Sequence, residues 1–188
     1  EVKMGKIQFT ANPQKIVEAI LYVLESSPDT TVYQMMKILF AADCFSLNRY
    51  GAPLTGDRYE ALAKGTVPKL AHEMVRGNKE AFVNTSDADV LPFFRKEVGI
   101  NSTLKAARKC NNALLSIGAR KALEHGISEY GSLSDDEIQD KNHAHPAYKN
   151  AANRKDKEVY YEDMIEADNE EVRSYYEEIG GFSKDMVL

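Results

Sequence analysis

The sequence predicts a mainly α, single compact domain of about six to eight helices with a small β-hairpin element. Three observations carry this. Helix-capping side chains stand just ahead of apolar stripes with a 3.6-residue period. Glycine and proline gather between positions 51 and 68. A chain of 188 residues with 43% hydrophobic content buries one sizeable core and needs no second.

Asn12 before Pro13 starts the first helix, because asparagine caps well and proline tolerates the first helical position. Ile16, Val17, Ile20, Val23 and Leu24 give it an apolar face, and Ser26-Ser27-Pro28 stops it. Thr31 with Gln34 forms a capping box for a second helix ending near Tyr50-Gly51, so the two make a helical hairpin. The second helix has its stripe at Val32, Met36, Leu39, Phe40 and Leu47, and Asp43 falls inside that stripe. A carboxylate there is buried and needs a dedicated partner from a distant segment, with His143 the first candidate and Arg58 the next.

Between Gly51 and Gly65 the composition favours a tight turn and a short extended run around Arg58–Leu62. Thr66, with Pro68 in the first turn, restarts a helix with Val67, Leu70, Ala71, Met74 and Val75 inward, closed by Gly77. Phe82-Val83 and Phe93-Phe94 bracket a polar turn and suggest a hairpin. Ser102 or Thr103 caps what reads as the longest and central helix, running to Gly126 with Leu104, Cys110, Leu115 and Leu123 on one side. Ser134 and Glu137 start a short helix leading to Ile138 and the turn Asn142-His143-Ala144-His145-Pro146. Glu158 to Ile179 reads helical, broken near Asp168-Asn169.

The formal charge is −5, without a basic tract, which argues against nucleic acid as a partner. Acidity is local, since Glu162–Glu178 holds eight acids against Arg173 and leaves about +2 for the rest. Cys44 and Cys110 sit beside helical core positions and read as reduced, buried thiols. Without an apolar run of about 18 residues or a signal peptide, the expected location is the cytoplasm, away from membranes. The chain opens on Glu1, and Met4 is a candidate native start.

Candidate chemistry is sparse. His143 and His145 could form a metal pair with Asp43, Asp57 or Cys110, but no recognisable ligand spacing accompanies them, so no metal and no cofactor is expected. Asp57 and Tyr59 lie in a turn where aspartate can bond backbone amides. Alternatively, Asp43, Asp57, Tyr59 and His143 line one cleft for acid–base work or a small ligand. No nucleophile elbow, P-loop or dinucleotide-binding turn is present. The acidic end presents Tyr160, Tyr161, Glu170, Glu171, Tyr175, Tyr176, Glu177 and Glu178 as candidates for binding a basic protein partner.

Two blocks of this sequence resemble the Panacea domain, the SocA-like antitoxin family that is also found in phage-associated proteins. The first is Lys37-Ile-Leu-Phe-Ala-Ala-Asp43, Gly51, Pro53-Leu-Thr-Gly-Asp-Arg-Tyr59, Ala61 and Gly65-Thr-Val-Pro68; the second is Tyr130-Gly-Ser-Leu-Ser-Asp-Asp-Glu-Ile138 with His143 and Pro146. Thr66, Asn142 and Tyr148 depart from the family's usual proline, serine and tryptophan. The resemblance spans Pro13 to Met164, matches 78–103 poorly, and makes Asp43 and His143 signature positions. It implies one domain over 1–188, with a core at 13–164 and an acidic helical extension at 165–188. By function it implies a non-enzymatic antitoxin that neutralises a cognate toxin by direct binding, or hands it to a protease as an adaptor.

Overall fold

A helix that is apolar all round is stable only when other elements wrap it. In the computed structural model, which describes residues 7–96, 101–179, 185 and 188, that helix is α2 (Val32–Tyr50), with Val32 to Asp43 buried apart from Gln34. The candidate start at Met4 lies outside the described residues. α1 (Pro13–Ser26) begins on the Asn12 cap and α2 on the Thr31–Gln34 capping box, both where the sequence places them.

The chain continues through β1 (Tyr59–Leu62), β2 (Gly65–Pro68), α3 (Lys69–Val75), β3 (Phe93–Arg95), β4 (Leu104–Ala106), α4 (Ile117–Tyr130), α5 (Asp135–Ala144), α6 (Pro146–Ala152), β5 (Glu158–Val159) and α7 (Glu170–Ile179). The fold is mainly α, with seven α-helices among the described residues. β1 is the centre of an antiparallel three-stranded sheet, pairing Tyr59 with Pro68 of β2 and with Val159 of β5. β3 and β4 form a separate hairpin. None of the described helices is long and apolar enough to cross a membrane.

α2 divides two cores. Its Met35, Ile38, Leu39 and Ala42 join α1, α3 and α4, while Phe40 and Leu47 join Tyr59, Val159, Tyr161, Met164 and Tyr176. α4 lies along α2 and needs Gly126 there, because a Cβ would stand 2.4 Å from the carbonyl oxygen of Ile38. Gly126 was expected to end a helix; it is instead the point of closest approach inside one.

The structure corrects four other expectations. The long helix from Ser102 to Gly126 does not form. Thr103 and Leu104 pair as extended chain against Thr30, Thr31 and β3, and α1 then captures the following segment. Glu18 accepts the Asn111 amide at 2.7 Å and Arg108 at 2.7 Å, Glu25 accepts the Cys110 amide at 2.6 Å, and the helix begins only at the Ser116 cap. Residues 65–68 are strand rather than helix, because the Thr66 amide goes to Asn142 and Pro68 ends an edge strand where its missing donor costs nothing. Phe93 pairs with Ala106, while Phe82 sits at the end of a 3₁₀ turn, Lys79–Phe82. Only Glu170–Ile179 of the C-terminal stretch is α-helix, since Glu158–Val159 joins the sheet and Tyr161–Met164 is a 3₁₀ turn.

Candidate functional site

α2 grips the β1–β2 hairpin through two buried polar groups. The first is Asp43, which is fully buried. Its carboxylate accepts the Thr55 amide at 2.8 Å, the Thr55 hydroxyl at 2.5 Å and the Tyr59 hydroxyl at 2.8 Å. Burial pushes its pKa up to about 6, although the bonds from Thr55 and Tyr59 work in the opposite direction. Its partners therefore come from the turn that follows α2 and from the first residue of β1. His143 and Arg58 are not among them, and Arg58 reaches outward to Glu158 at 3.1 Å.

Asp57 lies beside this group and is also buried. It accepts the amides of Arg58, Leu70 and Ala71 at 2.7, 3.0 and 2.9 Å, which makes it a remote cap for α3, whose own N-cap is Pro68 and offers no side-chain bond. Burial pushes its pKa up and those backbone bonds hold it down. Tyr161 donates to the Asp57 carbonyl at 2.6 Å and meets the Tyr59 ring edge-on. The structure thus brings Asp43, Asp57 and Tyr59 together, each at most 2% exposed, and seals them from solvent.

The second buried group is Lys37, with no exposed surface. Its Nζ donates to the Thr66 carbonyl at 2.6 Å and stands 5.0 Å from the Tyr33 ring centroid. Among the described residues no carboxylate pairs with it, and burial lowers its pKa to about 7. Thr66 is held from the other side by Asn142, also fully buried, which accepts its amide at 2.7 Å and bonds its hydroxyl at 3.0 Å. Gly65 makes the approach possible: its φ is +106°, and a Cβ there would stand 2.2 Å from Asn142 Oδ1.

Sequence reasoning missed Lys37 and Asn142. The signals were present, since Lys37 is the one lysine of a helix apolar on all sides and Asn142 lies four residues after the buried Ile138. His143 lies next to the structural residue rather than at it. Its ring stacks on Tyr148 at 4.2 Å, and its buried Nε2 has no hydrogen-bond partner among the described residues. His145 caps α6 by accepting the Ala147 amide at 3.1 Å, and burial lowers its pKa.

At the acidic end, Glu170, Glu171, Tyr175, Glu177 and Glu178 are exposed. Tyr161 and Tyr176 are not: both are buried in the second core, where Tyr176 packs edge-on against Phe9 and donates to the Gly51 carbonyl. Tyr160 is half-buried under the Arg154 guanidinium, 3.9 Å from its ring centre. Cys44 and Cys110 are free thiols, each half-buried against one of the two cores rather than fully buried, and desolvation there raises the pKa of both. Among the described residues no three of His, Cys, Asp and Glu gather as a metal site.

No curated protein and no solved structure matches the chain. A family model does, the antitoxin SocA-like Panacea domain, over residues 35–149. That span opens in α2, takes in Lys37, Asp43, Asp57, Tyr59, Thr66 and Asn142, and closes in α6. With more than half its length inside the match, the chain belongs to the SocA-like antitoxin family of Panacea-domain proteins.

Proposed function

We propose that this protein is an antitoxin that neutralises a cognate toxin by direct contact. Family membership is the observation that carries the reading. The sealing of Asp43, Asp57 and Tyr59 supports a scaffold role for them, because a group at most 2% exposed cannot meet a substrate without an opening of the fold. In this reading the domain is one unit whose acidic end at 165–188 contributes to the contact. The exposed side chains of Glu170, Glu171, Tyr175, Glu177 and Glu178 would attract a basic partner and speed its encounter.

Co-expression with the product of the adjacent reading frame tests this. The expected result is growth rescue together with a stoichiometric complex of the purified proteins. Neutralised toxin that persists in the cell indicates sequestration, and toxin that disappears only when a protease is present indicates delivery. Absence of both binding and rescue would refute the proposal.

A further inference from the structure

A cleft of about 550 Å³ lies between α2, α4 and α5. Phe40, Tyr130 and Ala144 give it an apolar floor and wall. Its walls are tied in place. Phe45 of α2 stacks on His125 of α4 at 4.6 Å, and Lys141 of α5 bonds Glu129 at 2.5 Å while lying 5.0 Å from the Tyr130 ring centre. Glu129 and Lys141 cancel each other, so the interior of the cleft carries no net charge from acids and lysines. It is preformed, apolar and open.

One end carries charge. Glu166 lines this cleft and also a second of about 590 Å³, which continues past His145 to Asp168. Glu166 and Asp168 are exposed, and among the described residues no hydrogen bond or ion pair engages either carboxylate. Arg173 also lines this second cleft, but its guanidinium donates to the backbone carbonyl of Glu166 at 3.1 Å, so with Glu162 and Asp163 the acids still outnumber the cations there. Asp163 differs, because Arg154 already pairs with it. An apolar seat that opens onto two unpaired carboxylates complements a segment with an apolar anchor followed by Lys or Arg. It disfavours a phosphate backbone, and a second copy of this chain, at −5, would approach against like charge.

We propose that this cleft seats a short segment of the toxin bearing an apolar anchor flanked by basic residues, and that the lip formed by Glu166 and Asp168 selects that segment by charge. This rests on the antitoxin reading above. The two parts differ in origin. The seat lies within the matched family region, 35–149, and the lip lies beyond it. The seat therefore supplies the contact, and the lip distinguishes one toxin from another.

The test measures binding kinetics between the intact chain and the product of the adjacent reading frame. Ala144 is exposed, so Ala144→Arg and Ala144→Glu block the seat without loading the core; each is expected to weaken binding by about 30-fold or more with unchanged melting temperature. Glu166→Lys with Asp168→Lys should slow association about 3- to 10-fold at low salt, and the effect should shrink as salt rises. Val83→Arg, at an exposed apolar position outside the cleft, should change nothing. Wild-type affinity in both folded Ala144 variants overturns the seat and leaves the antitoxin reading intact. Absence of wild-type binding overturns both. Self-association of the chain alone, abolished by Ala144→Arg, overturns the seat in favour of a second copy.

Discussion

Replacing Lys37 with methionine removes a cation from a site with no exposed surface while keeping an unbranched apolar stem of similar length. In the unfolded chain this amine holds its proton up to about pH 10.5, and in the folded protein only to about 7. At about 1.4 kcal/mol per factor of ten, folding is penalised by about 4–5 kcal/mol below pH 7. The sign follows from proton binding: between these values the unfolded chain holds more protons, so wild-type stability rises with pH, and the penalty is fully present below 7. Methionine escapes it but loses the bond from Nζ to the Thr66 carbonyl, worth about 1–2 kcal/mol. The variant should therefore be about 2–4 kcal/mol more stable at pH 6. That advantage should shrink by about 2 kcal/mol between pH 7 and 9. Urea unfolding of both proteins across pH 6–9 measures it. A stability difference that stays constant with pH, or a variant less stable at pH 6, would refute the reasoning.

Four other outcomes are expected. Asp43→Ala should destabilise by about 2–5 kcal/mol in urea melts, because two hydroxyls and an amide lose their buried acceptor. Asp43 has the opposite pH sign from Lys37. With its folded pKa raised to about 6, wild-type stability should gain as pH falls from 6 towards 4, and Asp43→Asn should lose that slope. Gly65→Ala should destabilise by about 2 kcal/mol or more, since φ is +106° and the new Cβ would displace Asn142; a calorimetric melt within one degree of wild type would contradict the tight packing described. Charge reversal at Glu170, Glu171, Glu177 and Glu178 should slow toxin association in a salt-dependent way with little change in melting temperature, read by surface binding kinetics and scanning calorimetry. Truncation after Glu158 cannot replace that experiment, because it removes Tyr161, Met164, Ile165, Val172 and Tyr176 from the second core.

Local rules acted strongly at helix starts. Asn12-Pro13, the Thr31–Gln34 box and the Ser134–Glu137 box each begin a helix where the sequence places it, because a capping bond closes within four residues and needs nothing distant. The burial of Asp43 was legible for a similar reason, since its place in the stripe is fixed by the pitch of one helix. Its partner was not. Thr55 and Tyr59 reach it only because the turn after Gly51 folds back across α2, and that path depends on sheet pairing with β5, about a hundred residues further on. Periodicity also misread 103–115, where the apolar spacing fits a helix, yet Glu18, Glu25 and the β3 edge offer bonds that an isolated helix would not match. At the acidic end the composition was visible but the facing was not. Tyr175 and Tyr176 are neighbours in sequence, one exposed and one buried, because Tyr176 packs against Phe9 and bonds Gly51 from the far side of the fold. Caps, pitch and charge are properties of a few adjacent residues, so the sequence determined them by itself. Which buried group meets which, and which face remains open to a partner, depended on contacts between distant segments that only the tertiary structure decided.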